Sequence, residues 1–452
     1  MGHLLEHIDA TAPELVSFVL DVDAGTLLLT FSETVNMATL NTSDITLVSS
    51  SSGAAASRLA LTSDCTVSTT EPRESATVTL THSLLNALKQ NPLLGTRRDD
   101  TFLGMTARLV QDMAGNGAAP RPADTDALLV DAVLRDQTPP ELVQFDFNAQ
   151  HGSLLLEFDE PVQATTLDTS KLTLVSRAAA SQALELNETY VLTLAQVTVG
   201  VSNETFVNAT LPQHALDALT ALDGPGLRAE TTFLALDLGA IEDVSGNRVQ
   251  AIATGAAVAV TDFTADGIEP QLVSASLNMT SGRLNLRFTE TIRRSSFHLN
   301  QLQLLNPSGA GAGVVLGDAR ILAPAQGTND VAAEILLSQD LLNAIKALDD
   351  LATAANTTFV ALTPLFCHDM SYNPLREATA AGVDSFTPDQ DQPSLLSFDL
   401  DMDSERMAFT FSETVRPSTL TLTSIELFGT AAGSPGSATA TRSAARSRRR
   451  AG

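Results

Sequence analysis

The chain reads as all-β: tandem β-sandwich modules in an elongated array, each with a short helical turn between strands. Three observations carry that reading. The first is a stretch written four times, from Pro13 to Phe31-Ser32-Glu33-Thr34-Val35, Pro140 to Phe158-Asp159-Glu160-Pro161-Val162, Pro270 to Phe288-Thr289-Glu290-Thr291-Ile292, and Pro393 to Phe411-Ser412-Glu413-Thr414-Val415. Each glutamate follows its proline by 20 residues, and an aspartate (Asp9, Asp136, Asp266, Asp389) precedes each proline by four. Copies recur every 123 to 130 residues, a domain's length, so the repeat is one of whole modules. The second is a period of two inside the stretch: Val16, Phe18 and Leu20, then Leu27, Leu29 and Phe31, alternate with other residues as strands with one buried face do. The third is the Asp21-to-Gly25 segment between those runs, matched by Asn148 to Gly152 and Asn278 to Gly282, which makes each pair of strands a hairpin.

Taken in order, residues 1–8 read as the tail of something upstream. Repeat one spans 9–135, repeat two 136–265 and repeat three 266–388. Within repeat one, Ile45-Thr46-Leu47-Val48 and Ala76 to Leu80 are further strands. Ser83 to Lys89 follows with a helical pattern of one or two turns, repeated at His214 to Leu219 and Asp340 to Lys346, where Ser338 is a natural N-cap. A strand over Phe102 to Val110, matched by 232–238 and 358–365, ends in Asp112-Met113-Ala114-Gly115-Asn116. Its counterparts are Asp243-Val244-Ser245-Gly246-Asn247 and Asp369-Met370-Ser371-Tyr372-Asn373, tight turns in which Gly and Asn are expected at positive φ. A partial repeat four spans 389–428, and 429–452 is expected to be a disordered basic tail of Ser, Ala, Gly and Arg.

Composition narrows the function. The net charge is −27, although the last 19 residues hold five Arg and no acid. Such a surface repels nucleic acid and anionic membrane and favours cations. No apolar run is long enough for a membrane helix. Cys65 and Cys367 stand at non-equivalent places, which excludes a repeated intradomain disulfide and reads as two buried thiols. Asn-X-Ser/Thr sites at Asn41, Asn187, Asn203, Asn208, Asn278 and Asn356 favour a secreted chain weakly. With no Trp and two Tyr there is no aromatic platform for stacking on sugars.

The pairing of Phe31-Ser32-Glu33-Thr34-Val35 with Asp112, Gly115 and Asn116 resembles the bacterial Ig-like modules of the S-layer and surface-adhesin type, and their long tandem relatives in unicellular eukaryotes. The resemblance covers residues 9–428, and repeat three departs from it at Tyr372, where a glycine is expected. It implies a β-sandwich and a structural role at the cell surface or in a matrix, without catalysis. Partners on this reading are other modules of the same protein and an unidentified surface or matrix protein or glycan. The alternatives are accessory Ig-like domains of a secreted enzyme whose catalytic domain lies outside this chain, and a ligand-binding module.

No nucleophile elbow, zinc-protease helix, phosphate loop or dinucleotide fingerprint occurs, and the seven His share no repeat position. Asp21-Val22-Asp23-Ala24-Gly25 has the look of a calcium loop, but its counterparts carry Asn, Gln and Thr, and a plain hairpin turn is the better reading. Strand direction offers another candidate. If the second strand and the Asp-turn return to the pole where the first strand starts, Asp9, Glu33, Asp112 and Asn116 gather there, as do Asp136, Glu160, Asp243 and Asn247, and Asp266, Glu290, Asp369 and Asn373. Three carboxylates, an Asn oxygen and backbone carbonyls suit the six to eight oxygens of Ca2+. The plainer reading, which takes precedence, makes Glu33 an acceptor of backbone N–H bonds at the rim and the aspartates shapers of turns.

Overall fold

The structure is a computed structural model that describes residues 9–51, 57–177, 189–191, 198–199, 204–307, 313–325 and 328–428. The tails read from the sequence at 1–8 and 429–452 lie outside them. Repeat one supplies β1 (Leu15–Asp21), β2 (Thr26–Asn36), β3 (Ile45–Val48), β4 (Arg58–Ala60), β5 (Thr66–Val67), β6 (Arg73–Thr79), α1 (His82–Lys89), β7 (Phe102–Met105), β8 (Gln111–Asp112), β9 (Leu128–Leu129) and β10 (Ala132–Leu134). One sheet runs β10-β1-β2-β6-β5 with β8 beside β2, and the other runs β4-β3-β7-β9. The other two complete repeats repeat this order, so each is an Ig-like β-sandwich. The last segment is shared: β10 pairs parallel with β1 in one sheet, and β9 pairs antiparallel with β7 in the other.

Each sandwich closes on its own core. Phe18, Leu20, Leu27 and Leu29 are fully buried in the first, Phe145, Leu154 and Leu156 in the second, and Leu284, Leu302 and Ile335 in the third. The hairpin departs from simple alternation in one respect. Val16, Val143 and Val273 face solvent at 56 to 57% exposure, where the two-residue period placed Val16 inside. A register shift between the first and third residues of the opening strand, present in all four repeats, is the cause. That bulge adds one residue, so the parity of everything before it reverses.

The helices are α1, α2 (Gln213–Thr220) and α3 (Gln339–Lys346), eight residues each. Thr81 and Ser338 cap the first and third by accepting from the backbone N–H of Leu84 and Leu341. Each helix lays Leu or Ile on the end of its sandwich and leaves its C-terminus at the outer pole. The strand expected over 102–110 is shorter than its pattern, since Thr106 N-terminates a turn that places Leu109 and Val110 in the core without strand pairing. Cys65 and Cys367 are free and buried.

The described part of repeat four is a hairpin, Leu395–Asp401 with Arg406–Phe411, followed by two short 3-10 turns. Phe398 and Leu400, the counterparts of Phe18 and Leu20, are 49% and 45% exposed.

Because each core is separate, a polypeptide of residues 136–265 is expected to fold alone, with β-rich circular dichroism and one cooperative melt. Phe145→Ala should cost it about 3–5 kcal/mol, read from denaturant midpoints. A gradual melt, or a helix-dominated spectrum, would count against a self-contained sandwich.

Candidate functional site

The pole where each module begins is assembled by strand direction. β1 starts there and β2 returns antiparallel to it, with Leu15 opposite Phe31. Beyond Phe31, β2 continues past Glu33 to Asn36 and pairs with β8, Val35 opposite Asp112. Glu33 therefore sits between the start of the chain segment at Asp9 and the Asp-turn. The same bridges, Val162 to Asp243 and Ile292 to Asp369, recur in the next two repeats. As a result Asp9, Glu33 and Asp112 bring carboxylate oxygens within 4.8 Å of one another, as do Asp136, Glu160 and Asp243, and Asp266, Glu290 and Asp369.

The turn aspartate is held by its own loop. Asp112 Oδ1 accepts from Ala114 N (2.8 Å) and Asn116 N (2.7 Å), while Asn116 Nδ2 donates to Asp112 Oδ2 and to the carbonyl of Asp9. Asn247 and Asn373 repeat both bonds, to Asp243 and Asp136 and to Asp369 and Asp266. These asparagines thus use their amide N–H groups to clamp the interdomain linker to the turn. They are not at positive φ, contrary to expectation; that position belongs to Gly115 (φ 90°), Gly246 (φ 91°) and Tyr372 (φ 70°). Tyr372 tolerates the left-handed backbone with its ring beneath the Arg293 guanidinium, 4.9 Å from the ring centre.

One of these sockets, and the matching Asp389 and Glu413 pair that opens repeat four, receive a side chain from the preceding module. Lys89, the last residue of α1, reaches into repeat two, where Nζ lies 2.9 Å from Asp136 Oδ2 and also donates to Glu160. Lys346, the last residue of α3, does the same to Asp389 (2.8 Å) and Glu413. The first of these is nearly dry: the Lys89, Asp136 and Glu160 side chains are 6%, 0% and 7% exposed. Burial works against the Lys89 charge, but its hydrogen bonds to Glu160 and Asp136 outweigh it and hold the ammonium above the ordinary lysine value. Further bonds fix the joints. Asp23 Oδ1 accepts from the backbone of Gln137 and Thr138 in the linker, so the hairpin turn of repeat one also serves as a cap for the joint. Thr291 and Thr414 each donate to a helix carbonyl of the preceding module, Asp217 and Asn343.

The joint between repeats two and three is built differently. α2 ends in Thr220, and Arg293 of repeat three reaches back instead, donating through both terminal nitrogens to the two oxygens of Asp223 at 3.0 and 2.9 Å. In its socket, burial, then Asp266 and Asp369 beside it, push Glu290 up to about 9. Burial raises Asp369 to about 6 despite the Asn373 bonds. At the pole of repeat one, Glu33 is raised by desolvation and by Asp9 and Asp112.

Sequence reasoning brought the nine carboxylates together but missed Lys89, Lys346, Asp217, Asp223 and Arg293. The signal was present in the aligned helices, whose last positions read Lys, Thr, Lys. It speaks only once the helix is known to end against the neighbouring module.

No family model and no curated protein matches the chain. Among solved structures it is similar to the N-terminal part of the bacterial S-layer protein SbsC, at 14% identity over 45% of this chain and 44% of that one, with a TM-score of 0.19. It is also similar to domains 1–6 of surface layer protein SbsC (11% identity, 88% of this chain and 58% of that one, TM-score 0.19) and to domains A168–A170 of titin (10%, 83% and 100%, 0.20). The chain spans about half the length of those two S-layer structures. Overlaps this loose decide nothing about function, and the fold rests on the strand order.

Two outcomes are expected from the sockets. Lys89→Met leaves Asp136 and Glu160 buried without their cation and should cost about 3–5 kcal/mol in the stability of repeat two. Glu160→Gln added to it should recover part of that loss, and a thermal melt reads both. At the third repeat the folded state binds the Glu290 proton more tightly than the unfolded chain, so its contribution is complete below about pH 4.5 and lost as pH rises toward 9. In EDTA the melting temperature should fall across that window, and Glu290→Gln should flatten the fall.

Proposed function

We propose that the chain is a non-catalytic structural array of a cell-surface or extracellular protein, its Ig-like modules acting as rigid spacers. One observation carries this reading: the modules plug into one another, a helix-end lysine of one seated between two carboxylates of the next, buried around Lys89 and partly exposed around Lys346. A flexible linker needs no such fitting, and its exposed ion pairs would contribute little. Around Lys89 the pair is shielded from water, so its geometry fixes the angle between modules as well as joining them. The cavity at the middle joint is small, about 140 Å3, and is lined by acids, amides, hydroxyls and apolar side chains. The candidate nucleophiles Cys65 and Cys367 are buried in cores, and burial pushes the Cys367 thiol well above its ordinary value. The partners proposed are further modules of the same kind and a surface or matrix protein or glycan at either end.

Small-angle scattering from the full chain tests the reading. A rod-like profile with little interdomain flexibility is expected, and Lys89→Met with Lys346→Met should shift it toward a flexible chain. A compact particle, or wild-type scattering already typical of freely hinged domains, would overturn it.

A further inference from the structure

An ammonium and a carboxylate in contact hold every atom of an amide bond and one water besides. In solvent they stay an ion pair, because both ions are hydrated and the protonated amine has no lone pair to offer. In a dry site the ions lose that hydration, and the neutral pair of amine and carboxylic acid gains on the ion pair. Reaction then needs two more things: reacting atoms held in contact, and a neighbouring group that carries protons.

The joint between repeats one and two supplies all three. Its Lys89, Asp136 and Glu160 side chains are 6%, 0% and 7% exposed. The amine is held in place, since Lys89 ends α1 and its Nζ lies 2.9 Å from Asp136 Oδ2. Attack on a carboxyl carbon needs an approach of about 3–3.5 Å, and Asp136 Cγ is at most one C–O bond farther from Nζ than Oδ2 is. Asp136 is itself fixed: Oδ1 accepts from Thr138 N at 3.3 Å, and its main-chain carbonyl accepts from Asn247 Nδ2. Its Oδ2 is buried and, among the described residues, has no polar partner besides the lysine.

Glu160 is the proton carrier, for it accepts a hydrogen bond from the same Nζ. Burial, with Asp136 and Asp243 adding to it against the pull of Lys89, pushes Glu160 up to about 7. Near neutral pH it therefore both takes and gives a proton. The contacts that favour the Lys89 ammonium do not prevent reaction, because the amine is freed inside the pair. Its proton crosses to Glu160 through the hydrogen bond they share.

We propose that Lys89 Nζ and Asp136 Cγ join in an amide bond, with Glu160 moving the protons, so that repeats one and two are linked covalently. Glu160 takes one proton from Nζ, and the freed lone pair forms the C–N bond at Cγ. The Cγ–Oδ2 bond breaks, and Glu160 returns the proton to the departing oxygen. Of the three ammonium protons one stays on the amide nitrogen and two leave with that oxygen as water. Nothing is oxidised or reduced, and Glu160 ends as it began. The last joint holds the same three residue types, but Lys346 and Asp389 are 15% and 27% exposed, so water keeps the ions hydrated and the bond should form more slowly there. The middle joint has Thr220 at the end of its helix and no amine to react. The bond forms whatever the array does, so this inference does not depend on the spacer reading.

Intact mass spectrometry of the full chain, kept at neutral pH until its mass is constant, tests the proposal together with tryptic mapping. Wild-type protein should be lighter than its sequence by one water for each bond formed. Its digest should contain a branched peptide joining Lys89 to Asp136, uncut after Lys89. Lys89→Arg keeps the cation but offers a guanidinium that does not lose its proton, so the branch should be absent. Glu160→Gln keeps the shape and removes the proton carrier, and should slow the bond by about 100-fold or more. Wild-type protein without the branched peptide overturns the proposal whether or not the variants fold. A branch at Glu160 in place of Asp136, or an unchanged rate in folded Glu160→Gln, does so as well. Rigid scattering from an unlinked chain would sink this inference alone; flexible scattering with the bond in place would sink the spacer reading alone.

Discussion

The structure turns on the cost of keeping carboxylates out of water. Asp112, Asp136, Glu160, Asp243 and Asp369 are all at most 5% exposed, crowded in threes at the poles of the sandwiches. Left alone, such groups repel one another and lose hydration. Each module answers this in two parts. Its own loop satisfies the turn aspartate with backbone N–H groups and an asparagine amide. In repeats two and four the glutamate and the linker aspartate are answered by a lysine of the module in front. The pole is thus incomplete in isolation, and completing it is what joins one module to the next.

That arrangement explains features that otherwise look unrelated. The two-turn helix is too short to be a packing layer, but it is long enough to carry a lysine to the outer pole of its own sandwich. The three residues between aspartate and proline set the distance at which that lysine meets its socket. The continuation of β2 past Glu33 to Asn36 brings Asp112 beside the glutamate by direct pairing, so the socket inherits the rigidity of the sheet. Where the lysine is missing, an arginine–aspartate pair with two parallel hydrogen bonds takes over part of the fastening from the other side. Arg416 and Asp349 stand in the same relation at the last joint, at 3.2 Å but exposed, so they contribute less.

Much of the fold was legible because the repeat supplies its own controls. Phe18, Leu20, Leu27 and Leu29 are spaced as a one-sided hairpin, and the spacing recurs in four copies, so chance alternation is excluded. Ser338 read as a helix cap because a hydroxyl before an apolar run has few other uses, and its oxygen does accept from Leu341. The misreadings came from places where period two breaks without a composition signal. The bulge at the start of each hairpin turns Val16 outward although it is as apolar as its neighbours. The turn at Thr106 ends a strand that the pattern carried on to Val110. The asparagine of the Asp-turn was credited with an unusual backbone when its side chain does the work.

By itself the sequence determined the module period, the hairpin, the helix and the meeting of the nine carboxylates, because each follows from spacing along one chain and from strand direction. Only the tertiary structure decided what those carboxylates meet. Lys89 lies 71 residues from Glu160, and Lys346 lies 67 from Glu413. Nothing local distinguishes a lysine that ends a solvated helix from one that ends inside its neighbour. The difference is made by the packing of two separately folded modules, which removes water from one ammonium and leaves the middle joint, with Thr220 in the same place, an acid pocket.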